Sequence, residues 1–152
     1  MKATIQRVSS SKLWVDNELI SEISTGLICY LGVGIGDTEN EIKWMAKKIT
    51  GLRIFPDSAD KMNLSLLDIG AEIMAVSQFT LYGDISRGFR PSFIKAEAPN
   101  KAENLYNLFC QELLNNGIKK VAKGIFGANM KIEQVNEGPV TILVEKEPGN
   151  II

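Results

Sequence analysis

Residues 26–34, Gly-Leu-Ile-Cys-Tyr-Leu-Gly-Val-Gly, carry no charged side chain. A short apolar run of this kind is the pattern of a strand covered on both faces. Residues 72–81 (EIMAVSQFTL) repeat it and run into polar chemistry at their end. A sheet built on these two runs needs a layer on each side. Helices can supply one layer, and a second sheet or a second subunit the other.

Two helical segments fit that role. Thr38 and Glu41 have the spacing of a capping box, in which each side chain satisfies a free backbone donor of the first turn. Ile42, Met45, Ala46 and Ile49 then share one face, Lys43 and Lys47 lie on another, and Gly51 is a fitting stop. A second helix is expected over 100–116, with Ala102, Leu105, Phe109 and Leu113 as its apolar stripe and Gly117 as its stop. Strands are expected over 1–8, in a hairpin around Asp16-Asn17, over 53–55 before Pro56-Asp57, and around 119–126, 131–135 and 140–145. Residues 147–152 read as a loose tail. Many strands with two helices between them give an α+β class rather than a regular βαβ alternation. The expectation is one β-rich domain over residues 1–152, with a sheet or barrel-like sheets and two main helices. A chain of 152 residues buries roughly 70% of its unfolded surface, enough for a core without staples.

Composition narrows the function. The 17 basic and 18 acidic side chains leave a net charge of −1. That excludes a protein that coats nucleic acid and leaves room for one that grips a small part of an RNA. There is no histidine, so Ser-His-Asp and Cys-His hydrolases and His-ligated metals are excluded. An enzyme of this composition moves protons with other groups or with those of its substrate. Cys29 and Cys110 stand far apart in sequence and make no zinc site; they read as small buried hydrophobes in a reducing compartment. No signal-peptide pattern opens the chain, and no apolar run reaches the ~20 residues of a membrane span. A cytoplasmic protein with no membrane association is expected.

Four segments have the makings of chemistry. Ser77-Gln78-Phe79-Thr80-Leu81 ends an apolar strand in polar groups. Taken alone it reads as a strand edge whose hydroxyls bond nearby backbone, since a Ser or Thr nucleophile needs a base. Asn136-Glu137-Gly138-Pro139-Val140-Thr141 reads as a tight connector between two strands. Ser86 through Phe93 holds Arg87 and Arg90, two of only four arginines in the chain, beside Phe89 and Phe93. Arginine with aromatics suits phosphate contact and base stacking, and a solvated loop anchored by phenylalanine suits the same residues. Phe126-Gly127-Ala128-Asn129-Met130 permits close backbone approach, either as a bulge before the next strand or as a pocket wall. Gly32, Gly34 and Gly36 lack the spacing of a dinucleotide-binding loop.

Taken together these segments resemble the D-aminoacyl-tRNA deacylase family, also called D-tyrosyl-tRNA deacylases. The likeness runs from Ile5-Gln6-Arg7-Val8 to Thr141. It rests on SQFTL at 77–81, RPSF at 90–93 and NEGPVT at 136–141, with LRIFPD at 52–57 and KMNLS at 61–65 in support. The resemblance implies a homodimer with its sites at the subunit interface, and no metal or organic cofactor. It implies hydrolysis of the ester between a D-amino acid and the 3′-terminal adenosine of tRNA, and removal of glycine mischarged on tRNA. It implies a cis Gly138-Pro139 bond whose residues enter the partner's pocket and reject L side chains by a clash. Arg7 matches an arginine that braces this motif. Ser77, Gln78, Phe79 and Thr80 match the strand end that lines the site, Phe126 and Met130 the adenosine and aminoacyl pocket, and Ala96 a small residue of its wall. Arg87 and Arg90 are the candidate tRNA contacts. Two mechanisms fit. In one the Thr80 hydroxyl attacks the ester. In the other, which the absence of a base for Thr80 favours, backbone donors near Phe79 and Thr80 hold the ester while the RNA 2′-hydroxyl helps activate water. Glu137 departs from the family's usual aspartate. Two other functions compete: a nucleic-acid-binding protein without catalysis, and a related deacylase for small L-amino acids.

Overall fold

A computed structural model describes residues 1–149. Its spine is β1 (Lys2–Val15). One edge of β1 pairs antiparallel with β8 (Lys131–Glu145), from Lys2↔Glu145 to Trp14↔Lys131. The other edge is shared. β3 (Gly26–Gly32) pairs with Lys2 through Val8, and β2 (Glu18–Ile23) with Ser11 through Val15. β3 runs parallel to β6 (Glu72–Ser77), and β6 parallel to β7 (Val121–Lys123). The β1–β2 hairpin turns at Asp16 and Asn17 with φ of 49° and 64°, the left-handed conformation that short hairpin turns demand. Strand twist curls the sheet into a nearly closed barrel. Ser21 Oγ, on β2, donates to the Lys123 carbonyl of β7 at 2.8 Å across the gap.

The apolar run of residues 26–34 is covered on both faces, as expected, and the alternation decides by what. Leu27, Cys29 and Leu31 join Ile73 and Ala75 of β6 in a core under α1 (Glu39–Thr50) and α3 (Pro99–Asn115), facing Ile42, Met45, Ile49, Phe109 and Leu113. Ile28 points the other way, with Met74, Val76, Val8 and Leu13, into the barrel. The second layer is therefore the sheet itself, curled back. Each large side chain buried here is worth roughly 1.5–3 kcal/mol. Burial pushes the thiols of Cys29 and Cys110 up, which suits inert core residues. The Thr38–Glu41 capping box forms, and Asp37 Oδ1 accepts from the buried Met1 ammonium at 2.8 Å. Among the described residues no helix is long and apolar enough to cross a membrane.

Five sequence expectations need correction. Residues 136–141 do not connect two strands: β8 is one strand of 15 residues, and the segment is an excursion within it. Residues 79–82 leave the sheet as a 3-10 turn, because β6 ends at Ser77. β7 is only three residues long. A short helix α2 (Leu66–Ile69), capped by Ser65 and Asp68, went unread, as did β5 (Met62–Leu64), and the strand expected over 53–55 is β4 (Phe55–Pro56), which pairs with β5. The expected tail is tied down at Gly149, whose N–H donates to Glu41 Oε1 at 3.2 Å; residues 150–152 lie outside the described residues.

Candidate active site

β6 and β3 run side by side until Ser77, where the Gln78 N–H makes the last bond to the sheet, to the Leu31 carbonyl at 2.8 Å. The chain then winds into the 3-10 turn Phe79–Tyr82. That turn lies directly on the end of β3, and the glycines there are what admit it. A Cβ on Gly32 would meet the Gln78 carbonyl at 3.0 Å, and one on Gly34 would meet Tyr82 Oη at 2.3 Å. The Gly-rich end of β3 is thus a seat for the turn. In a 3-10 turn the leading N–H groups have no partner within the turn; here they belong to Phe79 and Thr80.

Beside the turn lies a cavity of about 660 Å³. Ser77, Gln78 and Phe79 form one wall, Ala96 a second, and Phe126 and Met130 a third. Three segments far apart in sequence thus meet in one place. Ala128, within the segment 126–130 read as a possible pocket wall, also lines it, as do Glu97, Ala98 and Ala102, which the sequence reading missed. The signal of the two alanines is smallness at spacings that helix and turn bring together. Phe93 completes the mouth, its ring edge-on to Phe79 with centroids 5.1 Å apart. Glu97 is the carboxylate of the lining. Lys101 Nζ at 2.7 Å and the Ala98 N–H at 2.9 Å hold its carboxyl below the usual range. It stays ionised and engaged, a poor proton donor. Among the described residues no cluster of three or more His, Cys, Asp or Glu side chains converges to hold a metal.

Other candidate residues stand outside this cavity. Thr80 is exposed beyond its rim, and its Oγ1 accepts from Gln78 Nε2. Arg87 and Arg90 are exposed on the loop between Asp84 and Ser92. Gly138 and Pro139 are exposed on the β8 excursion, where five steps of β8 (Asn136 to Thr141) oppose two of β1 (Val8 to Gln6). The Gly138-Pro139 bond is cis, and Gly138 has φ of 127°. Arg7 holds the excursion from beneath. Its Nε–H donates to the Glu137 carbonyl at 3.0 Å and its Nη1–H to the Ile54 carbonyl at 2.6 Å. Gln134 anchors the near side, its Nε2 donating to Gln6 Oε1 at 2.8 Å and to Asn136 Oδ1 at 2.6 Å. Tyr30 Oη donates to Gln134 Oε1 at 2.7 Å, and burial raises the phenol so that it stays neutral. A wider groove of about 900 Å³ runs past Ile35, Tyr82, Ile85 and Ile94, but holds none of the SQFTL, RPSF or NEGPVT residues.

Comparison with known proteins addresses the family and the fold. The family model described as D-Tyr-tRNA(Tyr) deacylase matches residues 4–145. A D-aminoacyl-tRNA deacylase of Desulfotalea psychrophila is 49% identical over 147 residues, 97% of this chain and 98% of that one. A solved structure titled c-Myc DNA Unwinding Element Binding Protein superposes with a TM-score of 0.92 at 38% identity, covering 97% of this chain and 99% of its own. A second, described as a probable eukaryotic D-amino acid tRNA deacylase, shares the fold with a TM-score of 0.83 at 17% identity, over 94% and 97% of the two chains. With motifs, fold and cavity walls in one arrangement and the family model matched over nearly its whole length, this chain belongs to the D-Tyr-tRNA(Tyr) deacylase family, whose members are hydrolases of aminoacyl-tRNA esters.

Proposed function

We propose that the chain hydrolyses the ester of D-aminoacyl-tRNA, releasing the free amino acid and tRNA, and that it does so with main-chain donors rather than a side-chain nucleophile. The observation that carries this is the cavity wall itself. It sets a 3-10 turn, whose leading N–H groups have no partner within the turn, beside a pocket lined by alanine, phenylalanine and methionine. Phe126 and Met130 suit the apolar faces of a terminal adenosine. The ester carbonyl then lies toward Phe79 and Thr80, whose N–H groups receive the charge that develops on its oxygen. A single donor of this kind is worth about 3–4 kcal/mol. Water attacks the carbonyl carbon, the bond to the ribose 3′-oxygen breaks, and that oxygen takes up a proton. The neighbouring 2′-hydroxyl assists the water.

Selectivity follows from Gly138 and Pro139. They do not line the cavity of their own chain, so the filter operates in a homodimer in which the excursion of one protomer enters the cavity of its partner. An L side chain would meet its carbonyls and ring, and a D side chain points to open space. Glycine has no side chain to reject, so glycine mischarged on tRNA(Ala) is a second substrate. The enzyme works in the cytoplasm and needs no cofactor.

The test is deacylation of paired D-Tyr-tRNA and L-Tyr-tRNA by metal-free protein. Release from the D ester alone is expected; equal release from both, or from neither, overturns the reading. The solved relative whose title names a DNA-element-binding protein favours a second function, nucleic-acid binding without turnover. Salt-dependent retention of unwound DNA, together with no cleavage of either ester, would establish that one instead.

A further inference from the structure

The loop between Asp84 and Ser92 has a use that the hydrolytic site does not absorb. It is closed at its base by two backbone bonds, Asp84 N–H to the Ser92 carbonyl at 2.8 Å and Ser92 N–H to the Asp84 carbonyl at 2.9 Å. Asp84 Oδ1 also accepts from the Ser86 N–H at 2.9 Å, which ties up the one carboxylate of the segment. At the tip Gly88 has φ of 136°, and Phe89 beside it is 107% exposed. The other aromatics here are engaged: Phe93 lies edge-on to Phe79, and Phe126 tilts against Tyr106. Among the described residues Phe89 has no ring partner and covers no core. Arg87 and Arg90 flank it, and neither forms an ion pair among the described residues. In a chain of net charge −1, the seven residues 85–91 hold two cations and no anion.

We propose that this tip is a stacking platform for the substrate's single-stranded end, with Phe89 taking the face of an unpaired base and Arg87 and Arg90 the phosphates on either side of it. An aromatic face set among arginines is how proteins hold unpaired nucleic acid whatever its sequence. The platform is joined to the cavity, since Phe93, one residue past the loop base, lines its mouth. Three steps of chain lead from Ser92 to Phe89, a reach of roughly 10 Å. The stacked base is therefore not the terminal adenosine but one that precedes it, about one to three nucleotides back. This rests on the aminoacyl-tRNA reading above and assigns that substrate a second point of grip.

The experiment compares full-length D-Tyr-tRNA with D-tyrosyl-adenosine, which lacks every upstream nucleotide. Phe89→Ala is expected to raise KM for the tRNA about 5- to 150-fold, the range for loss of one stacked base. KM for D-tyrosyl-adenosine should move less than about two-fold, because that substrate never reaches the tip. Phe89→Trp should restore the tRNA value, and Phe89→Leu, apolar but without a π face, should not. An unchanged KM for tRNA, an equal rise for both substrates, or full rescue by leucine overturns the proposal. So does a change in oligomeric mass on Phe89→Ala, which would make the tip a contact between copies. If wild-type protein cleaves neither ester, the function fails separately. Fluorescence anisotropy with uncharged tRNA then decides the platform, which stands if Phe89→Ala weakens binding and falls if it does not.

Discussion

Arg7 is the residue through which the fold and the proposed selectivity meet, and Arg7→Lys is the perturbation that separates them. The guanidinium donates at once to the Glu137 carbonyl of the β8 excursion and to the Ile54 carbonyl ahead of β4. A lysine ammonium has no planar fork and cannot reproduce both bonds in the same geometry. One charge-assisted bond is lost, worth about 1.5–3 kcal/mol. The Glu137 end is exposed to solvent, which puts the loss near the lower figure. For a domain of this size ~1.5 kcal/mol lowers Tm by roughly 3–6 °C. The second readout is selectivity. With its brace gone, the segment carrying Gly138 and Pro139 yields to an L side chain. A softening of about 1.4 kcal/mol costs roughly tenfold in the D-to-L ratio of kcat/KM. Glu137→Ala is the control, because Arg7 bonds the main-chain carbonyl of Glu137 and not its carboxylate; it should leave the ratio within about twofold of wild type. A lysine variant that melts within about 1 °C of wild type and keeps its D-to-L ratio would refute the brace.

Thr80→Ala should keep turnover within about tenfold of wild type, since Thr80 acts through its N–H; a fall of 10²–10³, the cost of a lost oxyanion donor, would return the hydroxyl to the chemistry. Gly26→Ala should cost at least about 3 kcal/mol in urea denaturation, beyond ordinary overpacking, because its Cβ would sit 1.8 Å from the Glu72 carbonyl oxygen in the β3–β6 ladder; near-wild-type stability would mean that the ladder yields. The N–H groups of Lys61 and Ala59, with Asn63, hold the Asp57 carboxyl below its ordinary 3.8. The stability this gives is present above that value and is lost as pH falls through the lower, folded one. Asp57→Asn should therefore melt below wild type at pH 7, with the gap closing as pH falls below 3.8 and through the lowered folded value; a gap that persists in strong acid would refute the assignment.

The fold was legible where local chemistry and burial agree. The α1 cap, the Asp16-Asn17 turn and the doubly covered β3 are written in residue types, and the structure keeps all three. The β8 segment was misread because Asn, Gly and Pro in succession are the vocabulary of a turn. What overrides them is pairing: β1 is long enough to hold β8 on both sides of the interruption, from Lys2 to Gln6 and again from Val8 to Trp14. Arg7, between those two stretches, then fills the gap beneath the looped-out residues. A side chain of β1 decides the conformation of a segment 130 residues away, and no local window contains that information. Phe79–Tyr82 failed for a related reason. Its residues favour a strand, but the space at the end of β3, left open by Gly32 and Gly34, accepts a tighter turn.

The site was less legible than the fold because the chemistry proposed for it lies in the main chain. Catalytic side chains announce themselves by type, and a peptide N–H belongs to every residue except proline. What a sequence can show of such a site is the set of places where side chains must be small or absent for the backbone to arrive. Here those are Gly32 and Gly34 under the turn, and Ala96, Ala102 and Ala128 around the cavity. Each alone is an ordinary small residue. Alanine at 96 reads as loop and alanine at 102 as part of a helix's apolar stripe, and only the fold brings both to one cavity. The same logic sets the limit on engineering this site. Polar substitutions at Ser77 or Thr80 leave the N–H groups where they are. A methyl added on Gly32 would press on the Gln78 carbonyl at 3.0 Å, the backbone that starts the turn, whereas one on Gly34 would meet the end of the Tyr82 side chain at 2.3 Å and move that ring.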